Sequence, residues 1–177
     1  MATSFITPLR YIFDAADLVE WGKSKARTDL LHFVAAINAA VASKSCKGGV
    51  EVSPVVSRLV DLLGELETMV DSTPPTAQPM RYGNKAYREW HDKLVERAPA
   101  DMERLLGGLH PGAAQELLSY FIDSFGNATR IDYGTGHETT FVVLLCGWED
   151  APILRERLAT HEALVLARLP HSLGRPV

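Results

Sequence analysis

Asp123-Ser124-Phe125-Gly126-Asn127-Ala128-Thr129-Arg130-Ile131-Asp132-Tyr133-Gly134-Thr135-Gly136-His137-Glu138, followed by Thr139-Thr140-Phe141-Val142-Val143-Leu144-Leu145-Cys146, is the stretch whose reading decides the fold. Apolar Leu117, Leu118, Tyr120, Phe121 and Ile122 lead into it. The pattern predicts a helix that ends at Gly126-Asn127, two residues tolerant of the left-handed conformation that closes helices. A second helix is predicted from Thr135, with Thr135 and Glu138 as a reciprocal capping box. The run Thr139–Cys146 is rich in β-branched residues, which favour strands. The box and the helical surroundings decide for a helix.

At this corner the nine residues Arg130–Glu138 hold two carboxylates, an arginine, a tyrosine and two glycines. One reading is an ordinary helix–loop–helix corner. The other is an anion site, since exposed N–H groups and the helix dipole attract negative charge at a helix start. A bare phosphate beside Asp132 and Glu138 would be repelled. Mg²⁺ resolves that conflict, because it takes one or two carboxylates plus substrate phosphates. A P-loop is excluded, as no Lys-Ser/Thr follows the glycines, and so is a zinc protease, as His137-Glu138 lacks a second His four residues on.

Working outward, Arg81-Tyr82-Gly83-Asn84-Lys85-Ala86-Tyr87-Arg88-Glu89-Trp90 forms a second dense motif. A helix from about Asn84 puts Tyr87, Trp90 and Leu94 on an apolar face and Arg81, Lys85 and Arg88 roughly opposite. By itself that cationic stripe reads as solvated surface, and Asn84 as a helix cap. Before it, Ser72–Pro79 is a stiff, proline-rich connector. Pro54 opens an amphipathic helix with Val55, Leu59, Leu62, Leu63, Leu66, Met69 and Val70 as its buried stripe. Phe5–Val41 reads as helical, with Trp21 and Phe33 as core anchors. Pro99 and Asp101 mark a new helix start, and Ala113–Phe125 is the helix entering the central motif.

The 177 residues suit one domain with a real core, and 46% apolar and 23% charged residues are ordinary for a globular chain. A net charge of −4 offers no basic excess for nucleic acid. Cys46 and Cys146 are isolated, which suits a reducing compartment better than a disulfide framework. No apolar run is long enough to span a membrane, and the first residues do not read as a signal peptide.

The two motifs, in this order, resemble the signatures of the phosphotyrosyl phosphatase activator family, activators of protein phosphatase 2A also described as peptidyl-prolyl isomerases. The resemblance begins near Phe5 and fades after Gly147. It implies an all-α domain over residues 1–147, the N-terminal part of a family member and apparently truncated, with 148–177 a divergent tail. It implies ATP with Mg²⁺ in a pocket between core and lid. Arg81, Asn84, Lys85, Gly134, Thr135, Gly136 and His137 would lie at the nucleotide, and Asp132 and Glu138 at the metal. The implied partners are the catalytic and scaffold subunits of phosphatase 2A and a proline-containing peptide, with a peptide-linked homodimer allowed. The implied location is cytoplasmic and nuclear. The isomerase activity has no evident acid or base and would act by binding a twisted X-Pro bond. The alternative is an inert family fragment serving at most as a binding module.

Helices after Pro54 and Thr139 are expected to have packed against later family segments. With those apolar stripes exposed, the 177-residue chain is expected to bind ATP weakly or not at all, to activate the phosphatase poorly and to aggregate or dimerise. Calorimetric titration and analytical ultracentrifugation check this, and a monomer with full ATP affinity contradicts it.

Overall fold

The computed structural model describes residues 6–43, 53–78, 83–106 and 112–149. Six helices occur among them: α1 Ala15–Lys23, α2 Lys25–Val41, α3 Pro54–Asp71, α4 Ala86–Leu106, α5 Ala113–Asp123 and α6 Thr135–Glu149. The fold is all-α, as the periodicity predicts. The described residues contain no named strand, only an isolated bridge between Asn127 and Asp132.

Helix α4 is the axis of the packing, with both α3 and α5 against it. Helix α6 packs on α5, and α2 packs on α6. Trp90, Leu94, Ala98, Met102, Leu105 and Leu106 recur at threes and fours along α4 and are all buried. They meet Leu59, Leu62 and Leu66 of α3 and Leu117 and Phe121 of α5 in one core cluster. Fully burying one such side chain contributes about 1.5–3 kcal/mol. Trp90 also donates its indole N–H to the Leu66 carbonyl at 3.4 Å, so its polar edge is satisfied inside the core.

Several boundaries differ from those the sequence predicts. The first helical region breaks at Ser24, which ends α1 and whose hydroxyl caps α2 by accepting the Arg27 N–H. Phe33 is buried as expected, but Trp21 is only half-buried and stands outside the core cluster. Pro54 sits in the first turn of α3 under the Ser53 cap, as predicted. Pro99 does not start a helix, since α4 runs through it without interruption. The carbonyl that Pro99 leaves without an N–H partner belongs to Val95, a residue 43% exposed, where water can satisfy it. Arg97 and Asp101 straddle the proline at 2.5 Å and tie its two sides together.

The apolar stripes of α3 and α6 are covered within this chain: Val55, Val56, Leu59, Leu62, Leu63 and Leu66, and likewise Phe141, Leu144 and Leu145, are buried. That overturns their expected exposure. The exposed apolar surface lies elsewhere, at Leu9, Tyr11, Phe13, Leu18 and Val19 and at Leu31 and Val34 of α2.

On the α3–α4 face, the Glu65 carboxylate takes charge-assisted bonds from Arg104 (2.8 and 3.0 Å) and from Arg97. Arg104, then Arg97, holds its pKa down from 4.5 to about 2. A carboxyl lowered on folding contributes stability that is complete above its unfolded pKa and lost as pH falls toward the folded value. Thermal stability therefore declines between pH 4.5 and 2 with a Glu65 contribution. Glu65→Gln flattens that limb in pH-dependent melting, and an unchanged acid limb contradicts the assignment.

Candidate functional site

The site is built where the two motifs meet. Helix α5 ends at Asp123, and Gly126 follows with φ of 112°, a conformation strained for any residue with a Cβ. A methyl group there would lie 2.5 Å from the Tyr87 hydroxyl oxygen and 2.7 Å from the Asp132 carbonyl oxygen. Tyr87 uses the close approach to donate its hydroxyl to the Phe125 carbonyl at 2.7 Å. Burial, then the charges of Asp132 and Asp123, pushes the Tyr87 phenol up to about 12. The phenol is therefore a proton donor at any physiological pH.

The next six residues form a closed loop. The Asn127 side-chain oxygen accepts the N–H groups of Thr129 (3.0 Å) and Arg130 (2.9 Å). Asn127 N–H donates to the Asp132 carbonyl at 3.0 Å, and Ile131 N–H to the Asn127 carbonyl at 2.7 Å. Closing this loop puts Ile131 at φ of 53°. For a β-branched residue that is a genuine outlier. Of the expected pair Gly126-Asn127, Gly126 takes the positive φ and Asn127 does not, and a second positive φ falls on Ile131. Gly83 packs directly against it: a methyl on Gly83 would lie 2.6 Å from the Ile131 carbonyl oxygen.

Arg88, read from sequence as part of a solvated stripe, donates to two loop carbonyls. Its Nε reaches Ala128 at 3.0 Å and its Nη2 reaches Thr129 at 3.1 Å. Asn84 is likewise occupied. Its side-chain oxygen accepts from Ala86 N–H (3.0 Å), Thr76 N–H (3.0 Å) and the Thr76 hydroxyl (3.1 Å), and its amide donates to the Thr76 carbonyl at 2.9 Å. The cap that the sequence suggests is thus also a clasp on the proline-rich connector. Gln78 reinforces it, donating to the Gly83 carbonyl and accepting the Lys85 N–H.

The remaining predicted residues fall as follows. Arg81 lies outside the described residues, and Lys85 is exposed at the start of α4. Helix α6 begins on the Gly134 carbonyl, which accepts from His137 (2.9 Å) and Glu138 (3.2 Å). Thr135 is therefore inside the helix, and the expected Thr135–Glu138 capping box does not form. Gly134, Thr135 and Gly136 are exposed, and a methyl on either glycine would meet nothing within 4 Å. His137 Nδ1 lies 2.6 Å from the Asp123 carbonyl, which requires that nitrogen to carry the proton. Its ring stacks on Tyr133 at 5.9 Å, and its Nε2 stands 3.8 Å from Asp132.

Asp132 is held by Arg130 at 2.6 Å, and that bond draws its carboxyl below the usual range. Glu138 is exposed on the first turn of α6. Tyr133 is raised by burial, then by the Glu138 charge. Among the described residues no three His, Cys, Asp or Glu groups gather as a metal cage. This donor set does not fit a metal held by protein alone. It fits one carried on phosphates, which needs a single carboxylate.

The family described as "Phosphotyrosyl phosphate activator (PTPA) protein" matches residues 8–171. The serine/threonine-protein phosphatase 2A activator of Drosophila melanogaster is 40% identical over 150 residues, 85% of this chain and 38% of that protein. Activator 1 of Saccharomyces cerevisiae is 35% identical over 142 residues, 78% of this chain and 36% of its own. The crystal structure of the PP2A phosphatase activator Ypa1 superposes with a TM-score of 0.80 at 29% identity, covering 96% of this chain and 55% of that one. The chain thus spans about two fifths of the length of these curated relatives.

The glycines of the two motifs should respond oppositely to alanine. Gly83→Ala, driven into Ile131, costs about 1–3 kcal/mol by overpacking. Gly136→Ala, in open space on α6, gains about 0.5–1 kcal/mol. Urea denaturation measures both, and equal effects would mean the Gly83 contact carries no weight.

Proposed function

The chain belongs to the PTPA family, and from that premise we propose that it acts as an activator of serine/threonine protein phosphatase 2A. The observation that carries the reading is the interlock of the two signature motifs, Gly83–Trp90 and Asp123–Glu138, through Tyr87, Gly126 and Arg88. It leaves the start of α6 and the Arg130–Asp132 pair facing solvent side by side. The names of the relatives as phosphatase 2A activators support the same role.

In this reading the exposed first turn of α6, at Gly134, Thr135 and Gly136, receives the phosphates of ATP through backbone N–H groups. Arg81 and Lys85 add positive charge, Arg by a bidentate fork and Lys as a point charge. Asp132, with Glu138 nearby in sequence, would hold the nucleotide's magnesium, whose chemistry is to neutralise phosphate charge. His137 and Asn84 act by holding backbone, because their side chains already bond to Asp123 and Thr76. The phosphatase catalytic and scaffold subunits are the protein partners, and the catalytic subunit's metal loading is the step assisted. Prolyl isomerisation is the second activity of this proposal. It requires only a surface that prefers the twisted X-Pro bond, whose barrier is about 18–20 kcal/mol. Action in cytoplasm and nucleus belongs to the same reading.

A binding-module reading draws on a different observation, the exposed apolar residues Leu9, Phe13, Leu18, Leu31 and Val34. Such surface marks protein contacts when contiguous.

The experiment is reactivation of metal-depleted phosphatase catalytic subunit by the chain with ATP and magnesium. The expected result is a gain in phosphatase activity that Asp132→Asn abolishes while the helical signal is retained. Activity unaltered by the chain would sink the activator role. Full activation by Asp132→Asn would return the loop to an ordinary helix–loop–helix corner. Exchange of a proline peptide followed by NMR tests the isomerase separately.

A further inference from the structure

The most strained element among the described residues is the Ile131 turn, which the loop's own hydrogen bonds close and which a second set of contacts also holds. A β-branched residue in the left-handed region is held there only where its surroundings over-determine it. Two groups from the other motif supply that constraint. Gly83 leaves just enough room for the Ile131 side chain and carbonyl. Arg88, in the first turn of α4, grips the carbonyls of Ala128 and Thr129.

From this arrangement we propose that Arg88 is a positioning residue of the phosphatase-activating site. Its guanidinium fork holds the loop 127–132 in its strained form and so aims Arg130 and Asp132 beside the start of α6. The proposal rests on the functional reading above for what the loop does, but not for how the loop is held. Three features of the geometry carry it. The fork reaches two consecutive carbonyls at once, through Nε and Nη2, which a single ammonium does not match. Both carbonyls lie in the loop, three and two residues before the strained one, so the grip acts on the turn and not on the core. Finally, the Arg130–Asp132 pair flanks Ile131, and its 2.6 Å bond depends on the turn that Ile131 makes. Arg88 is exposed and lies on the face of α4 away from Trp90 and Leu94, so its loss leaves the hydrophobic core in place.

The test uses the full chain and its Arg88→Lys and Arg88→Ala variants. Amide hydrogen exchange is read at Asn127 and Ile131, whose N–H groups close the loop. Exchange there is expected to accelerate about tenfold or more in both variants, the scale of a lost charge-assisted bond, while amides of α3 keep their protection. Ile131→Asn, which accepts the left-handed conformation, should restore protection at Asn127 in the Arg88→Lys background. A merely space-filling Arg88 would show no such rescue. Wild-type exchange in Arg88→Lys, or acceleration spread equally through α3 and α4, overturns the proposal. In phosphatase reactivation, Arg88→Lys should raise the ATP concentration needed for half-maximal effect. If the wild-type chain shows no ATP response, the functional reading fails on that arm, and the exchange result still decides the role of Arg88.

Discussion

Everything at the candidate site depends on one close approach: the Tyr87 hydroxyl sits against Gly126 and donates to the Phe125 carbonyl. The contact joins residues 38 positions apart and fixes the start of α4 against the end of α5. Only glycine fits at 126, because the backbone is left-handed there and a Cβ would overlap both the phenol and the Asp132 carbonyl. From this junction the loop runs out under Arg88, turns at Ile131 over Gly83, and returns to begin α6. Trp90, one turn beyond Tyr87, stacks near it at 6.0 Å and meets Phe125 edge-on at 5.9 Å. The hydrophobic core and the polar loop are thus anchored by neighbouring residues of a single helix.

The helices themselves were legible from sequence because apolar spacing reports burial directly. Leu59, Leu62, Leu63 and Leu66, and Trp90 and Leu94, are buried as their periodicity predicts. The helical assignment of Thr139–Cys146 also holds, although the capping box used to support it is absent. That segment is helical because Phe141, Leu144 and Leu145 bury one face against the core cluster, which outweighs β-branched preference. Pro99 misled for a physical reason. Proline at a helix start and proline within a helix look alike in sequence, and only the exposure of Val95 separates them.

The site was legible as a set of residues but not as a set of roles. Arg88 has the same local surroundings as a solvated arginine, and its acceptors lie 40 and 41 residues away. Asn84 reads as a cap and is one, yet its grip on Thr76 depends on where the connector returns. A strained Ile131 leaves no trace in sequence at all, since nothing in local propensity favours it. The family motifs supplied what pattern could not, that these two stretches belong together. The structure shows why they do: Gly83, Tyr87 and Arg88 of one motif each touch the other.

The central claim is that Tyr87 and Gly126 form one energetic unit joining the two motifs. A double-mutant cycle in urea with Tyr87→Phe and Gly126→Ala tests it most directly. Removing the hydroxyl relieves part of the overlap that an alanine at 126 would meet, so the two changes should be non-additive, with a coupling of about 1 kcal/mol or more. Additivity within about 0.5 kcal/mol would show that the two residues do not sense each other, and the account of the junction would be wrong.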